Sequence, residues 1–157
     1  MFRPLRRSRQ ELSREECVAI LRDARRATLA VAGDDGYPYA VPINFLYDED
    51  TGSVFFHGAR QGHKADAMAR EQKVCLTVTD EGTLEEGSWW YHVRSVVVFG
   101  HVRVVEDESE KERHLRAFGL KYAAPDYVER EMARDGRACE LREIVVDHMC
   151  GKAVKEK

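Results

Sequence analysis

Between Thr28 and Val105 the chain alternates apolar, β-prone segments with short turns, and only one short helical segment interrupts them. Two of the turns, at residues 34–36 and 48–52, carry the Asp and Gly residues that commonly join neighbouring strands. Parallel strands need crossovers of roughly a dozen residues or more, and these segments leave no room for them. The order of segments therefore predicts an antiparallel sheet rather than βαβ units.

The predicted strands cover residues 28–32, 37–47, 53–57, 74–79, 88–105 and 140–146, and the predicted helices cover 13–26, 64–70, 108–122 and 126–134. Ser13-Arg14-Glu15-Glu16 is a capping box that opens the first helix. Pro38 and Pro42 cannot donate hydrogen bonds to a neighbouring strand, so the strand that holds them needs a free edge or bulges. The long strand is expected to bend near Gly100. Because about six such strands can close on themselves, we expect a closed or split antiparallel β-barrel, mainly β with peripheral helices.

Length and charge narrow the class of protein. At 157 residues the chain is expected to form a single domain, with a basic arm at residues 1–10 and a charged tail at residues 152–157. A net charge of −3 argues against a general nucleic-acid binder, and no apolar run approaches the ~20 residues that span a membrane. No apolar region follows the N-terminal arginines, so no secretory signal is expected. The four cysteines form no C-x-x-C pair, which indicates reduced thiols and a cytoplasmic protein.

The segment most informative about function is residues 55–64, Phe-Phe-His-Gly-Ala-Arg-Gln-Gly-His-Lys. His57 lies at the end of an apolar predicted strand. A glycine-containing turn follows, and it holds Arg60, His63 and Lys64 at the start of a short helix. Backbone N–H groups, a helix N-terminus and cationic side chains together suit a phosphate. An ordinary solvated basic loop is the alternative interpretation, and these ten residues by themselves leave it open.

A second cluster, at residues 89–96, combines aromatic side chains with a cation and a hydroxyl. It can hold a planar ring and a phosphate, or its rings can pack in the core or in a subunit interface. Alternation along a strand puts Arg94 and Ser95 on opposite faces, so both serve one ligand only at an edge or a bulge. Elsewhere the sequence has no nucleophile elbow, no P-loop, no dinucleotide fingerprint and no spacing typical of a metal site.

An ordered set of segments carries a resemblance to a known family: Val41-Pro42-Ile43-Asn44-Phe45, Phe56-His57-Gly58-Ala59, Gly62-His63-Lys64, Val74-Cys75, Arg94-Ser95-Val96-Val97-Val98-Phe99-Gly100 and Gly151-Lys152. On these residues the chain resembles the split-barrel flavoproteins related to pyridoxamine 5′-phosphate oxidase, and among them the Nim-type branch associated with nitroimidazole resistance. The resemblance covers roughly residues 29–152. Two features depart from it. Val93 stands where the Nim-type pattern often has a tyrosine, and the acidic loop at residues 81–87 holds no separate site for pyridoxal phosphate.

The resemblance implies a split barrel that binds FMN at the interface of a homodimer. Residues 41–45 would lie along the isoalloxazine, with Asn44 reaching its polar edge. Ala59, Arg60 and Lys64 would hold the phosphate, and Arg94 and Ser95 of the partner chain would complete the site. His57 matches the histidine placed near the flavin's reactive face and is the expected catalytic residue; no metal is expected. The expected cofactor-binding residues are Pro42, Ile43, Asn44, Phe45, His57, Gly58, Ala59, Arg60, His63, Lys64, Arg94, Ser95 and Val96.

The same resemblance implies a flavin-dependent reductase. NAD(P)H would supply hydride to the flavin, and a small electron-poor compound such as a nitro-aromatic would accept electrons. His57 would then donate a proton or a hydrogen bond to the reduced product, or it only satisfies a backbone carbonyl at the barrel rim. The alternative function is a non-enzymatic module that carries or senses FMN, heme or a deazaflavin on the same barrel.

Overall fold

The computed structural model describes residues 2–155 and, within them, eight β-strands and four α-helices. The strands are β1 (Ala27–Ala32), β2 (Pro38–Ile43), β3 (Leu46–Asp48), β4 (Ser53–Gly58), β5 (Lys73–Thr79), β6 (Thr83–Leu84), β7 (Tyr91–Val104) and β8 (Glu140–Lys155). The helices are α1 (Arg14–Asp23), α2 (His63–Arg70), α3 (Glu108–Tyr122) and α4 (Pro125–Asp135). All described strand pairings are antiparallel, which confirms the mainly β fold with peripheral helices.

The sheet curls round on itself and stays open along one line. Its strand order is β2-β1-β5-β7-β8-β4-β3, with β6 paired to the first residues of β7. β2 and β3 are therefore the two edges of the sheet, yet only Asn44 and Phe45 separate them in the chain. So short a connection spans roughly 10 Å at most, and the two edges must approach each other there. The fold is thus an antiparallel barrel split between β2 and β3, as expected.

The extended segment predicted at residues 37–47 is wrong as a single strand. The chain leaves one edge of the sheet after Ile43 and enters the opposite edge at Leu46. Pro38 and Pro42 lie on β2, opposite residues of β1. Because β2 has no partner on its other side, the prolines are tolerated at this edge.

β7 and β8 form the longest pairing of the sheet, and their register shifts between Phe99 and Gly100, where a bend was expected. A Cβ atom on Gly100 would lie 2.3 Å from the carbonyl oxygen of Val145, so a glycine is needed for the strands to approach this closely. The prediction that the last strand ends at residue 146 is wrong, because β7 offers β8 partners as far as His92. Residues 152–155 of the expected tail are therefore strand, and residues 156–157 lie outside the described residues.

Smaller corrections concern the start of β7 and the end of α1. The strand expected from residue 88 begins at Tyr91, and the acidic loop at residues 81–87 contains β6. Helix α1 has its predicted capping box, since Ser13 and Glu16 exchange hydrogen bonds of 2.8 and 3.2 Å. The helix ends at Asp23 rather than near residue 26.

The interior of the barrel is apolar, and helices pack against its strands. Fully buried Leu29, Leu76 and Val98 belong to the main core cluster, which also includes the buried face of α1. Helices α3 and α4 pack against each other so closely that a Cβ on Gly119 would lie 2.8 Å from Val128 Cγ1. Because α3 also contacts β4, this helix pair lies beside the end of that strand.

The expected basic arm packs beside β7 and β8. The ring of Phe2 stacks on His148, with 4.6 Å between ring centres, while the arginines of the arm are exposed. Met1 lies outside the described residues. No helix within residues 2–155 combines the length and apolar character needed to cross a bilayer.

Candidate functional site

His57 lies near the end of β4 and lines a cavity of about 730 Å³ that α3 and α4 cover. Pairing with Leu141 of β8 fixes its backbone, and its ring meets the Phe118 ring edge-on, with 4.8 Å between centres. We call this cavity the His57 chamber; its lining includes Asn44 and Gly58 beside His57, Phe118 and Tyr122 from α3, and Tyr127 from α4.

The surroundings of His57, although its side chain is exposed, favour the uncharged form of the ring. The chamber leaves the ring accessible, but neighbouring protein atoms replace part of its hydration. This burial lowers the pKa of His57 below its ordinary value of 6.5, and the positive charge of Lys64 lowers it further. At pH 7 the ring is therefore a neutral imidazole, which can accept a hydrogen bond at one nitrogen and donate one at the other.

Lys64 lies half-buried in the first turn of α2, with its ammonium 5.5 Å from the centre of the Phe56 ring. None of the ion pairs formed within residues 2–155 involves Lys64. Burial lowers the pKa of this ammonium, and the charge of Arg142 lowers it further. Because burying a charge without a partner is costly, an anion bound here would stabilise the site.

Arg142 is a candidate that the sequence reasoning missed. It lies on β8 opposite Phe56 and is only 4% exposed. Both of its terminal nitrogens donate hydrogen bonds of 3.3 Å to the carbonyl oxygen of Ala59, and Glu140 forms an ion pair with it. The guanidinium thereby holds the turn that follows β4. Only the long-range pairing of β4 with β8 brings it there, so no local sequence signal marks it.

Lys64 and Arg142 converge beside Gly58, and we refer to them as the cation pair. A Cβ atom on Gly58 would lie 3.4 Å from Arg142 Nη1 and 3.6 Å from Lys64 Nζ. Helix α2 begins just after Gly62, whose φ of 114° favours glycine, and no side chain caps the N-terminus of this helix in the described structure. Two cations and free helix N–H groups thus lie at one turn, an arrangement that suits a phosphate.

Asn44 and Phe45 cross the split of the barrel next to the same chamber. Asn44 is exposed and lines the chamber, whereas the Phe45 ring is fully buried. The Tyr122 hydroxyl lies 2.9 Å from the Phe45 nitrogen and 2.7 Å from its carbonyl oxygen. The backbone of this connection is therefore held by α3, and the Asn44 side chain is left free to face the chamber.

The structure does not bring all the predicted basic residues together. The His63 ring stacks on Tyr39, with 3.9 Å between centres, and its Nε2 lies 3.4 Å from a carboxylate oxygen of Asp34. Arg60 lines a separate cavity of about 270 Å³ that it shares with Lys111. Within this chain, Lys64 is the one side chain of the predicted basic turn found beside His57 and Gly58.

Arg94 and Ser95 also lie apart from His57 in the same chain. The Arg94 Nε donates a 2.8 Å hydrogen bond to Asp80, and Arg94 lines another cavity of about 590 Å³. The residues that pair with Arg94 and with His57 lie near opposite ends of β8. One protomer therefore does not assemble Arg94 and Ser95 with the cation pair.

Three other predicted residues have side chains in the core. Ile43 and Val96 are buried in the main cluster together with Phe45, so any contact they make with a ligand must use their backbone. Pro42 is exposed on the edge strand β2. Within the described residues, no group of three His, Cys, Asp or Glu side chains is arranged to hold a metal ion.

Solved structures with the same fold include proteins named for flavin and for heme. The chain is similar to a candidate 5-nitroimidazole antibiotic resistance protein from Bacteroides thetaiotaomicron (23% identity, TM-score 0.76, 92% of this chain and 87% of that one). It is also similar to the flavocytochrome Anf3 from Azotobacter vinelandii, with 24% identity and a TM-score of 0.76 over 96% of this chain and 72% of that one. A third similar structure is the FAD and heme binding protein from Mycobacterium smegmatis, with 23% identity and a TM-score of 0.74 over 94% of this chain and 74% of that one. At these identities the likeness shows the fold.

Sequence comparison identifies the family. A search of curated proteins found no match. The family model described as pyridoxamine 5′-phosphate oxidase matches residues 13–153, which include every strand from β1 to β7, most of β8 and all four α-helices. Because this family model matches residues 13–153 of the 157-residue chain, and the split barrel is confirmed, the chain belongs to the pyridoxamine 5′-phosphate oxidase family.

Proposed function

We propose that this protein binds FMN, with the phosphate at the cation pair and the ring system toward His57 and Asn44. The observation that carries the proposal is the half-buried Lys64 ammonium, which has no acidic partner within residues 2–155 and lies beside buried Arg142. A phosphate dianion would neutralise this charge and accept hydrogen bonds from the start of α2. Family membership supports the same assignment.

FMN is favoured over FAD because the cation pair matches a single phosphate. FAD is the competing flavin, since one of the solved relatives is named as an FAD and heme binding protein. Mass spectrometry of the flavin released from purified protein distinguishes the two. Release of FAD alone would refute the choice of FMN while leaving flavin binding intact.

The proposed activity is the reduction of small electron-poor compounds with electrons from NAD(P)H. Bound flavin would supply the electron transfer between donor and acceptor. The protein would contribute the neutral His57 ring, which lines the chamber and can donate a hydrogen bond to an acceptor that gains negative charge. His57→Ala is expected to keep its flavin and to lose most of its turnover.

A homodimer is part of the proposal. Arg94 and Ser95 can join the cation pair at one ligand if they come from a second copy, because within one chain Arg94 and His57 line different cavities. Large apolar side chains suited to an interface are exposed around β6 and the start of β7: Leu84, Trp89 and Tyr91 are 51%, 73% and 44% exposed. Light scattering is expected to give about twice 18.0 kDa.

A non-enzymatic carrier or sensor is the second candidate. The names of two relatives, a flavocytochrome and an FAD and heme binding protein, favour it. Absorbance bands near ~450 nm indicate a flavin and a band near ~410 nm a heme. Anaerobic addition of NADH or NADPH then separates the candidates, because an oxidoreductase loses its flavin colour and regains it with an acceptor, whereas a carrier does not.

The phosphate assignment is tested by comparing FMN with riboflavin, which has the same ring system but no phosphate. Lys64→Met is expected to weaken FMN binding at least about tenfold, since a charge-assisted hydrogen bond contributes roughly 1.5–3 kcal/mol. Riboflavin binding should change less than about twofold. Lys73→Met, at an exposed lysine of β5, is the matched control and should leave both affinities unchanged. Equal FMN binding by wild type and Lys64→Met would refute the site.

A further inference from the structure

The walls of the His57 chamber are built for a flat, apolar ring. Phe118 and Tyr122 lie on α3, with 5.0 Å between their ring centres, and Tyr127 faces the chamber from α4. The close contact between Gly119 and Val128 joins the two helices into one cover. A volume of about 730 Å³ falls within the range of small-molecule pockets, which is roughly 300–1,000 Å³.

The charged groups of the chamber are acidic. Glu131 and Asp135 line it from α4, and none of the described residues that line it is a lysine or an arginine. Arg134 contacts the two carboxylates at 2.5 and 2.7 Å, but its own side chain is 66% exposed and does not line the chamber. The Asp135 side chain is 59% exposed as well, so the half-buried Glu131, which is 34% exposed, contributes most of the negative charge of this wall.

Neither member of the cation pair lines the chamber, although Gly58, beside which the pair converges, does. The charge of Lys64 is close enough to act on His57, where it disfavours the imidazolium. The turn after β4 therefore lies between a cationic site, suited to a phosphate, and a chamber whose described lining holds no lysine or arginine.

We infer that the electron acceptor of the proposed reaction enters the His57 chamber between the flavin ring and the aromatic side chains of α3 and α4, and that the chamber selects uncharged ring compounds, rejecting those that carry a carboxylate or a phosphate. An anion buried in the chamber would lose hydration and find no lysine or arginine in the described lining to pair with, and the half-buried Glu131 would repel it. A neutral ring loses little hydration and gains contact with the aromatic walls. A phosphorylated vitamin B6 compound would need a second cationic site, and the lining provides none.

This inference rests on the proposed function only where it calls the ligand an electron acceptor. The selectivity of the chamber is tested by binding measurements alone. The probes are 4-nitrobenzamide and 4-nitrobenzoate, which share ring, nitro group and size and differ in charge. Isothermal titration of the protein as purified, at pH 7.5, is expected to show at least tenfold tighter binding of the amide. Equal affinities, or tighter binding of the benzoate, would overturn the inference.

Two charge-reversal variants on α4 test whether the chamber wall causes the preference for the amide. Glu131→Lys places a cation at the chamber and is expected to reduce the preference for the amide below threefold. Glu129→Lys makes the same change of net charge on the same helix, but Glu129 pairs with Arg116 and lines a different cavity. It should leave the preference intact. An equal effect of the two variants would show that long-range charge, not the chamber, decides selectivity.

Two further measurements distinguish a failure of the chamber inference from unfolding of a variant and from a failure of the proposed function. Glu131→Gln removes the charge with little change in volume and should reduce the preference partly, which covers the case in which Glu131→Lys unfolds. Flavin content is followed separately by absorbance near ~450 nm. Absence of flavin with the amide preference intact would refute the proposed function and not the chamber, whereas bound flavin with no preference would refute the chamber alone.

Discussion

The hydroxyl of Tyr122 binds both backbone groups of Phe45, lying 2.9 Å from the N–H nitrogen that donates to it and 2.7 Å from the carbonyl oxygen. The carbonyl oxygen of Arg25 is 2.8 Å away on the other side. A hydroxyl has one proton, so it can donate to only one of these carbonyls at a time. Since Phe45 belongs to the connection between the two sheet edges, one side chain of α3 ties the split of the barrel together.

Tyr122→Phe is expected to destabilise the fold by about 1–3 kcal/mol, because it leaves partly buried backbone groups of Phe45 without their partner. Urea unfolding followed by circular dichroism measures the change. Tyr37→Phe, at a residue that is 75% exposed, is the control and should be neutral. An unchanged unfolding midpoint for Tyr122→Phe would mean that water replaces the hydroxyl without cost.

Arg142 is expected to support phosphate binding through the turn it holds. Arg142→Met should weaken FMN at least about tenfold, and Arg142→Lys should weaken it less, since lysine keeps the charge and loses the planar two-point contact with Ala59. Riboflavin serves as the ligand without a phosphate. Arg22→Met, at an exposed arginine of α1 whose acidic partners Asp23 and Glu49 are also exposed, is the control. If riboflavin binding fell as much as FMN binding, the effect of Arg142 would be on the fold and not on the phosphate.

The titration of His57 gives a third prediction. Burial, followed by the charge of Lys64, lowers its pKa, so the NMR midpoint of its ring protons should lie below 6.5 and should rise in Lys64→Met. Below about pH 6.5 the unfolded chain binds a proton at this residue that the folded protein resists, so folding stability falls as pH decreases. His57→Asn should remove that part of the acid sensitivity. A midpoint at or above 6.5 in wild type would contradict this account.

His114 and Asp48 form a buried ion pair between α3 and β3. His114 is 2% exposed, and its ring nitrogens lie 3.0 Å from the carbonyl oxygen of Glu110 and 3.0 Å from a carboxylate oxygen of Asp48. A carbonyl only accepts, so Nδ1 carries a proton, and an ionised carboxylate requires one on Nε2 as well. The ring stacks on Phe55 with 3.8 Å between centres.

Asp48→Asn is expected to cost about 3 kcal/mol of folding stability, because it removes the charged member of a buried hydrogen-bonded pair with His114. Burial raises the pKa of Asp48, but hydrogen bonds, chiefly from His114, outweigh it and leave the pKa below its ordinary value of 3.8. The carboxylate therefore stabilises the fold above that value, and the contribution is lost as pH falls through the lowered pKa. Denaturant unfolding between pH 2 and 7 should show this acid-dependent loss in wild type and not in Asp48→Asn.

Local sequence patterns predicted the helices and turns well, whereas the strand break at Asn44 and the position of Arg142 depend on long-range strand pairing. Ser13 and Glu16 mark the start of α1 by their own chemistry, and Gly100 marks a close approach that no side chain would permit. The break at Asn44 has no such signal, because it depends on where the two sheet edges meet. Arg142 has none either, since its partner Ala59 becomes a neighbour only once β4 pairs with β8.

β8 has a consequence for how the chain matures during synthesis. It follows all other strands in sequence, yet in the sheet it lies between β7 and β4, and β3 and β4 pair with the rest of the sheet only through it. A nascent chain that has not yet released β8 from the ribosome can pair β1, β2, β5 and β7 but cannot attach the β3–β4 hairpin. Until then both β7 and β4 expose unpaired edges open to wrong partners. The barrel is therefore completed only after all the other described strands have been synthesised, and the unpaired edges of β7 and β4 are exposed until β8 emerges.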